Sequence, residues 1–87
     1  MMNQNILFAD LQTWHPERQV VSFPAQQAGQ LIECIVSIEK LSQLIGYKVD
    51  SAQVLSVFDS LRFDLEDLAE QAIEEELFNL AGEIELG

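Results

Sequence analysis
Apolar and polar residues alternate along the first part of the chain and change to a helical period after it. Asn5–Phe8 is a short apolar run that predicts an edge strand. Residues 9–18 carry Asp10, Thr13, Trp14 and Pro16, which read as a turn with one aromatic anchor; His15 falls inside that turn. Val20–Ala25 alternates, with Val21, Phe23 and Ala25 on one face and Val20, Ser22 and Pro24 on the other. Pro24 has no N–H to give a ladder, so it is expected near a strand end or on an edge. Gln26–Gly29 predicts a turn in which Gly29 takes positive φ. Leu31–Ser37 is a third strand, with Ile32, Cys34 and Val36 inward and Leu31, Glu33 and Ile35 on the other face. The Val20–Ser37 segment is the clearest hairpin signal in the chain.

Helical period then takes over. Ile38, Leu41, Leu44 and Ile45 share one helical face, and Gly46 is placed to stop that helix. Asp50 reads as an N-cap, with Gln53 completing a capping box. Val54, Phe58, Leu61, Leu65, Leu68 and Ala72 then step by fours and threes, a regular apolar stripe. That stripe fits one helix of about 25 residues, or two with a bend near Phe63. It fails at Glu75 and Glu76. Ala81 and Gly82 read as a turn, and Ile84 and Leu86 alternate with Glu83 and Glu85 as a last short strand, acids outward.

A sheet with one apolar face needs a cover, and amphipathic helices supply it. The expected architecture is α+β in two layers, as a single domain over residues 1–87. An antiparallel sheet of about four strands is covered on one face by a short and a long helix, in the order β-β-β-α-α-β.

Composition narrows the function. The 87 residues include 15 acids and 4 bases, a formal net charge of −11. Apolar residues make up 48% of the chain, too many for a disordered segment. Arg18, Lys40, Lys48 and Arg62 are scattered, so direct binding to nucleic acid phosphates is not expected. An anionic membrane surface is disfavoured for the same reason, and no apolar run approaches the roughly 18 residues of a membrane span. Met1–Asp10 has neither the basic start nor the apolar stretch of a signal peptide. The single cysteine, Cys34, rules out an intrachain disulfide, and a cytoplasmic location is expected. One Cys and one His cannot make a cysteine-rich zinc site. No cofactor is expected.

Few residues offer chemistry. His15 lacks a sequence-evident orienting partner, and Cys34 on an inward strand position reads as a small hydrophobe. Asp67, Glu70 and Glu74 fall on one helix face, as a solvated face or a partner-binding one. One helix face gives no convergent cage for a divalent cation. Arg62 lies one turn from Asp59 and Glu66, which predicts a structural ion pair; the alternative is a clamp on a ligand carboxylate. Phe63 falls opposite the apolar stripe and, with Trp14 and Leu31, is a candidate interaction patch.

The order of landmarks resembles the YrdB-like family of small acidic bacterial proteins. The matching residues are Asn3, Gln4, Phe8, Asp10 and Trp14, then Val21, Phe23, Pro24, Ala25, Gly29 and Cys34. In the helical half they are Phe58, Arg62, Phe63, Asp64, Glu66 and Ala69, with a glycine before the aliphatic last strand. His15 departs from the family, whose members often carry an acid after the tryptophan. The resemblance implies an α+β fold with no established activity, and a start at Met2.

Two function classes remain. The first is a non-enzymatic interaction or regulatory module using Trp14, Arg62, Phe63, Asp67, Glu70 and Glu74, with a basic protein partner or a second copy as a homodimer. The second is a small-ligand-binding domain or enzyme with its site near Arg62. No nucleophile–base pair, phosphate loop or metal motif supports the second.

Overall fold
The computed structural model describes residues 6–86. Its elements are β1 (Ile6–Phe8), β2 (Thr13–His15), β3 (Val20–Gln27), β4 (Gln30–Ser37), α1 (Ile38–Ile45), α2 (Val54–Ser60), α3 (Arg62–Glu74) and β5 (Ile84–Leu86). Asn3, Gln4 and Asn5 lie outside the described residues, as do Met1 and Met2.

The fold is α+β in two layers, as expected, but the sheet has five strands rather than four. The order is β1-β3-β4-β5, with β2 also paired to β3. β2 lies where the sequence suggested a turn. Its three residues pair as Thr13↔Ser22, Trp14↔Val21 and His15↔Val20, which turns Trp14 to the same face as Val21. β1 and β2 share one side of β3, covering its two ends. Pro24 is therefore neither at a strand end nor on an outer strand: it sits in β3 between the part paired to β2 and the part paired to β1. A missing N–H is tolerated beside that gap.

The β3–β4 hairpin forms as the alternation predicts, in register from Val20↔Ser37 to Gln27↔Gln30. Its two turn residues, Ala28 and Gly29, both have positive φ, at 53° and 81°. That is the type I′ pattern, whose twist matches the flanking strands.

The sheet is mixed, not wholly antiparallel. β5 runs parallel to β4, through Cys34↔Ile84 and Val36↔Leu86. The chain leaves β4, crosses the sheet as helices and re-enters at the far edge in the same direction. A crossover of that kind gives a parallel pair.

One face of the sheet carries the core. Val21, Phe23, Ala25, Ile32, Cys34, Val36, Ile84 and Leu86 pack against Leu41, Val49, Val54, Val57, Phe58, Leu65, Ala69 and Ile73. Phe23 meets Phe58 edge-on at 5.1 Å between ring centres, tying sheet to helix layer. Ser37 caps α1 by accepting from the Lys40 N–H at 3.0 Å, and Gly46 ends it with φ 92°. The Asp50 carboxylate accepts from the Gln53 N–H at 3.1 Å, the leading bond of the expected capping box. Residues 51–53 form a turn, and regular helix begins at Val54.

The long stripe is two helices. Leu61, at φ −106° and ψ 8°, breaks the path between α2 and α3, two residues before the expected bend point. The break shifts the phase of the inward positions along α3. Leu68, placed inward by the unbroken stripe, is 38% exposed, while Ala69 and Ile73 are buried in its stead.

Candidate interaction site
Arg62 opens α3 and turns back toward the sheet. Its side chain is only 12% exposed. The guanidinium lies 5.0 Å from the centre of the Phe58 ring, which gives it an apolar floor with a negative π face. Nη2 stands 3.6 Å from both Asp10 and Asp59, and Nη1 stands 3.5 Å from Glu66. Nη2 also donates to the Gln12 side-chain oxygen. The expected ion pairs with Asp59 and Glu66 are present, and Asp10 and Gln12 extend them to the β1–β2 connection. Arg62 thus fastens that connection to the α2–α3 junction.

The residue after Arg62 points the other way. Phe63 is 79% exposed. Phe63, Asp67, Glu70 and Glu74 are spaced four, three and four apart, so they form one stripe along α3. Leu65, Ala69 and Ile73 are the buried face of the same helix. Asp67 and Glu74 are exposed and Glu70 is half-buried. The arrangement is an aromatic ring at the head of three carboxylates, facing away from the core.

The expected patch of Trp14, Leu31 and Phe63 does not form. Trp14 is half-buried against the core on the inner face of the sheet. Leu31 is 78% exposed on the outer face, in a cross-strand row with Gln26 and Leu7. Phe63 belongs to the helix layer. A two-layer fold puts Leu31 and Phe63 on opposite sides of the molecule. Leu11, between the two Arg62 partners Asp10 and Gln12, is exposed and was not singled out in the sequence; its position in a short connection carries no periodic signal.

Cys34 and His15 are the two remaining residues with chemical potential. Burial pushes the Cys34 thiol up to about 12, with a smaller push from the Glu33 charge. His15 is not a turn residue: it sits in β2 with Nε2 2.8 Å from the Ser22 hydroxyl, which pairs a buried polar side chain on the sheet face opposite the core.

Two open depressions lie away from Arg62. One of about 390 Å³ is lined by Ile38, Glu39, Ser42, Gln43, Lys48 and Val49. The other, about 210 Å³, is lined by Val20, Ile35, Ser37, Glu85 and Leu86. Among the described residues, no helix is long and apolar enough to cross a membrane.

These features define a small two-layer α+β domain with a mixed five-stranded sheet and an acidic helix turned outward. The chain belongs to the DUF1488 family, described as proteins of unknown function, whose model matches residues 6–86. It is similar to the "Uncharacterized protein YrdB" of Escherichia coli (strain K12), with 36% identity over 86% of this chain and 87% of that protein. The protein of the same name from Shigella flexneri is 35% identical over the same shares. A crystal structure of a DUF1488 protein of unknown function from Shewanella loihica has the same fold. It is 39% identical, with a TM-score of 0.92 over 99% of this chain and 96% of that one. The resemblance read from the sequence is to this same family.

Proposed function
We propose that this protein is a non-enzymatic, cytoplasmic interaction module, and that the outward stripe of α3 docks a basic segment of a partner protein. The observation that carries this reading is Phe63. An aromatic ring 79% exposed at the head of Asp67, Glu70 and Glu74 combines an apolar anchor with a row of negative charge. Aromatic anchors supply most of the binding energy at protein interfaces, and complementary charge supplies encounter rate and register. A Lys- or Arg-bearing helix or extended segment with one apolar residue fits that stripe. Arg62 serves this surface indirectly. Its charge is taken up by Asp10, Asp59 and Glu66, so it supports the α2–α3 junction rather than offering a free cation to a ligand.

The test is affinity capture from native cell extract at low and moderate salt. Wild type, Phe63→Ala and a double variant Asp67→Lys, Glu70→Lys are compared. A stoichiometric basic protein held by wild type, weakened by moderate salt and lost by both variants is the expected result. An identical set of bound proteins for all three chains would remove the α3 stripe as the docking face.

A further inference from the structure
The corner between α3 and β5 exposes a second apolar cluster that the α3 stripe does not include. Leu80 is fully exposed, at 108%, with Leu77 at 57% and Phe78 at 45% beside it in sequence. This corner is not loose. The Asn79 side-chain oxygen accepts from the Ala81 N–H at 3.0 Å and the Glu83 N–H at 2.8 Å. The Asn79 N–H donates to the Glu83 carbonyl at 2.8 Å, and the Gly82 N–H donates to the Asn79 carbonyl at 3.0 Å. The Asn79 amide also donates to the Glu83 carboxylate, which Arg18 holds as well. Leu80 is therefore a convex apolar tip on a fixed support, a form that binds with little ordering cost.

The same chain also carries a concavity. The depression of about 390 Å³ beside α1 has Ile38 and Val49 as apolar lining and Lys48 on its rim. Its wall is also fixed: the Ser42 hydroxyl donates to the Ile38 carbonyl at 2.9 Å and accepts from the Val49 N–H at 2.9 Å. The charges complement each other. Arg18 and Arg62 are taken up in ion pairs, whereas among the described residues no carboxylate lies within salt-bridge distance of Lys48. Glu75 and Glu76, both exposed, lie five and four residues before the tip, just past the end of α3. Glu39 lines the same depression as Lys48.

We propose that the protein self-associates through this pair of surfaces: Leu80 of one copy seats in the α1 depression of a second copy, with Glu75 and Glu76 facing Lys48. The exchange is reciprocal, so two such contacts close a twofold dimer. The residues are distinct from those of the α3 stripe, and the two readings stand or fall separately.

Sedimentation equilibrium on the full chain tests it, with Leu80→Glu and Lys48→Glu as variants. Both positions are exposed, and a melting curve confirms that each variant is folded. Wild type is expected as a concentration-dependent dimer below ~1 mM, and each variant alone as a monomer. An equimolar mixture of the two variants keeps one intact contact of the two, the Lys48→Glu tip in the Leu80→Glu depression, and is expected to associate more weakly than wild type. Phe63→Ala is expected to dimerise like wild type. A wild-type chain monomeric at ~1 mM, or a dimer untouched by both variants, overturns the proposal.

Discussion

Arg18 and Glu83 meet in a two-pronged ion pair, with both nitrogen–oxygen contacts at 3.0 Å. Arg18 precedes β3 and Glu83 precedes β5, and β4 lies between those strands. The pair therefore bridges β4 and ties the last strand to the β2–β3 connection. The Arg18 hydrogen bond, seconded by that of Asn79, holds the Glu83 carboxyl down at about 2, from an ordinary value of 4.5. A depressed carboxylate adds stability above its unfolded value and loses it as pH falls toward its folded one. Wild type is expected to lose stability from about pH 4.5 down to about 2, and Glu83→Gln to lose less across that window. Urea unfolding at stepped pH reads the difference, and parallel curves would remove Glu83 as the acid-sensitive group.

Ala28 occupies a left-handed position, φ 53°, in the β3–β4 turn. A side chain with a Cβ and no local hydrogen bond is poorly suited there, and Asn-Gly is the preferred pair for such a turn. Ala28→Asn is expected to stabilise the fold by about 0.5–1 kcal/mol. Chemical denaturation measures it, with an unchanged slope against denaturant showing that the unfolded state is unaffected.

The end of α3 breaks the usual rules for helix termini. The Leu77 N–H donates to the Ala72 carbonyl and the Glu76 N–H to the Ile73 carbonyl, both at 3.0 Å, a closure that places Glu76 at φ 58°. Glycine favours that site, and a helix C-terminus disfavours acids. Glu76→Gly is expected to raise stability by about 1 kcal/mol, read as a higher melting temperature. A lower one would show that Glu76 makes a compensating contact.

Arg62 lays its guanidinium over the Phe58 ring and gathers Asp10, Gln12, Asp59 and Glu66 around the same group. Arg62→Ala is expected to cost about 1–3 kcal/mol, kept low in that range because Asp10 and Asp59 stay hydrated. Arg62→Met replaces the guanidinium with an apolar side chain of similar length beside Phe58 and is expected to cost less. Equal losses for the two in urea would assign the whole effect to charge.

The hairpin, α1 and the acids-out β5 were legible because each is specified locally. Alternation fixed the faces of β3 and β4, Gly46 fixed the end of α1, and Gly82 preceded a clear two-residue alternation. β2 was not legible, since three residues between Asp10 and Pro16 are too few to show a period, and their strand character comes from pairing with β3. The direction of β5 was hidden for the same kind of reason: it depends on how the helices cross the sheet. Leu68 was misplaced because a regular pattern of fours and threes does not reveal that Leu61 leaves the helical path. At the site, the Arg62 ion pairs with Asp59 and Glu66 come from helix spacing, while Asp10 and Gln12 reach it from β1–β2. The exposed corner at Leu80 left no trace, because its exposure is set by the Asn79 turn and not by periodicity.

The parallel pairing of β4 with β5 also orders events in time. β4 is synthesised next to β3 and can join it at once through a tight turn. Its other edge must wait until all three helices have been made, and Ile32, Cys34 and Val36 share the face those helices will cover. During that interval a nascent chain offers a bare strand edge beside an unroofed apolar surface, the combination most prone to pairing with the wrong neighbour. The arrival of β5 is what closes that edge.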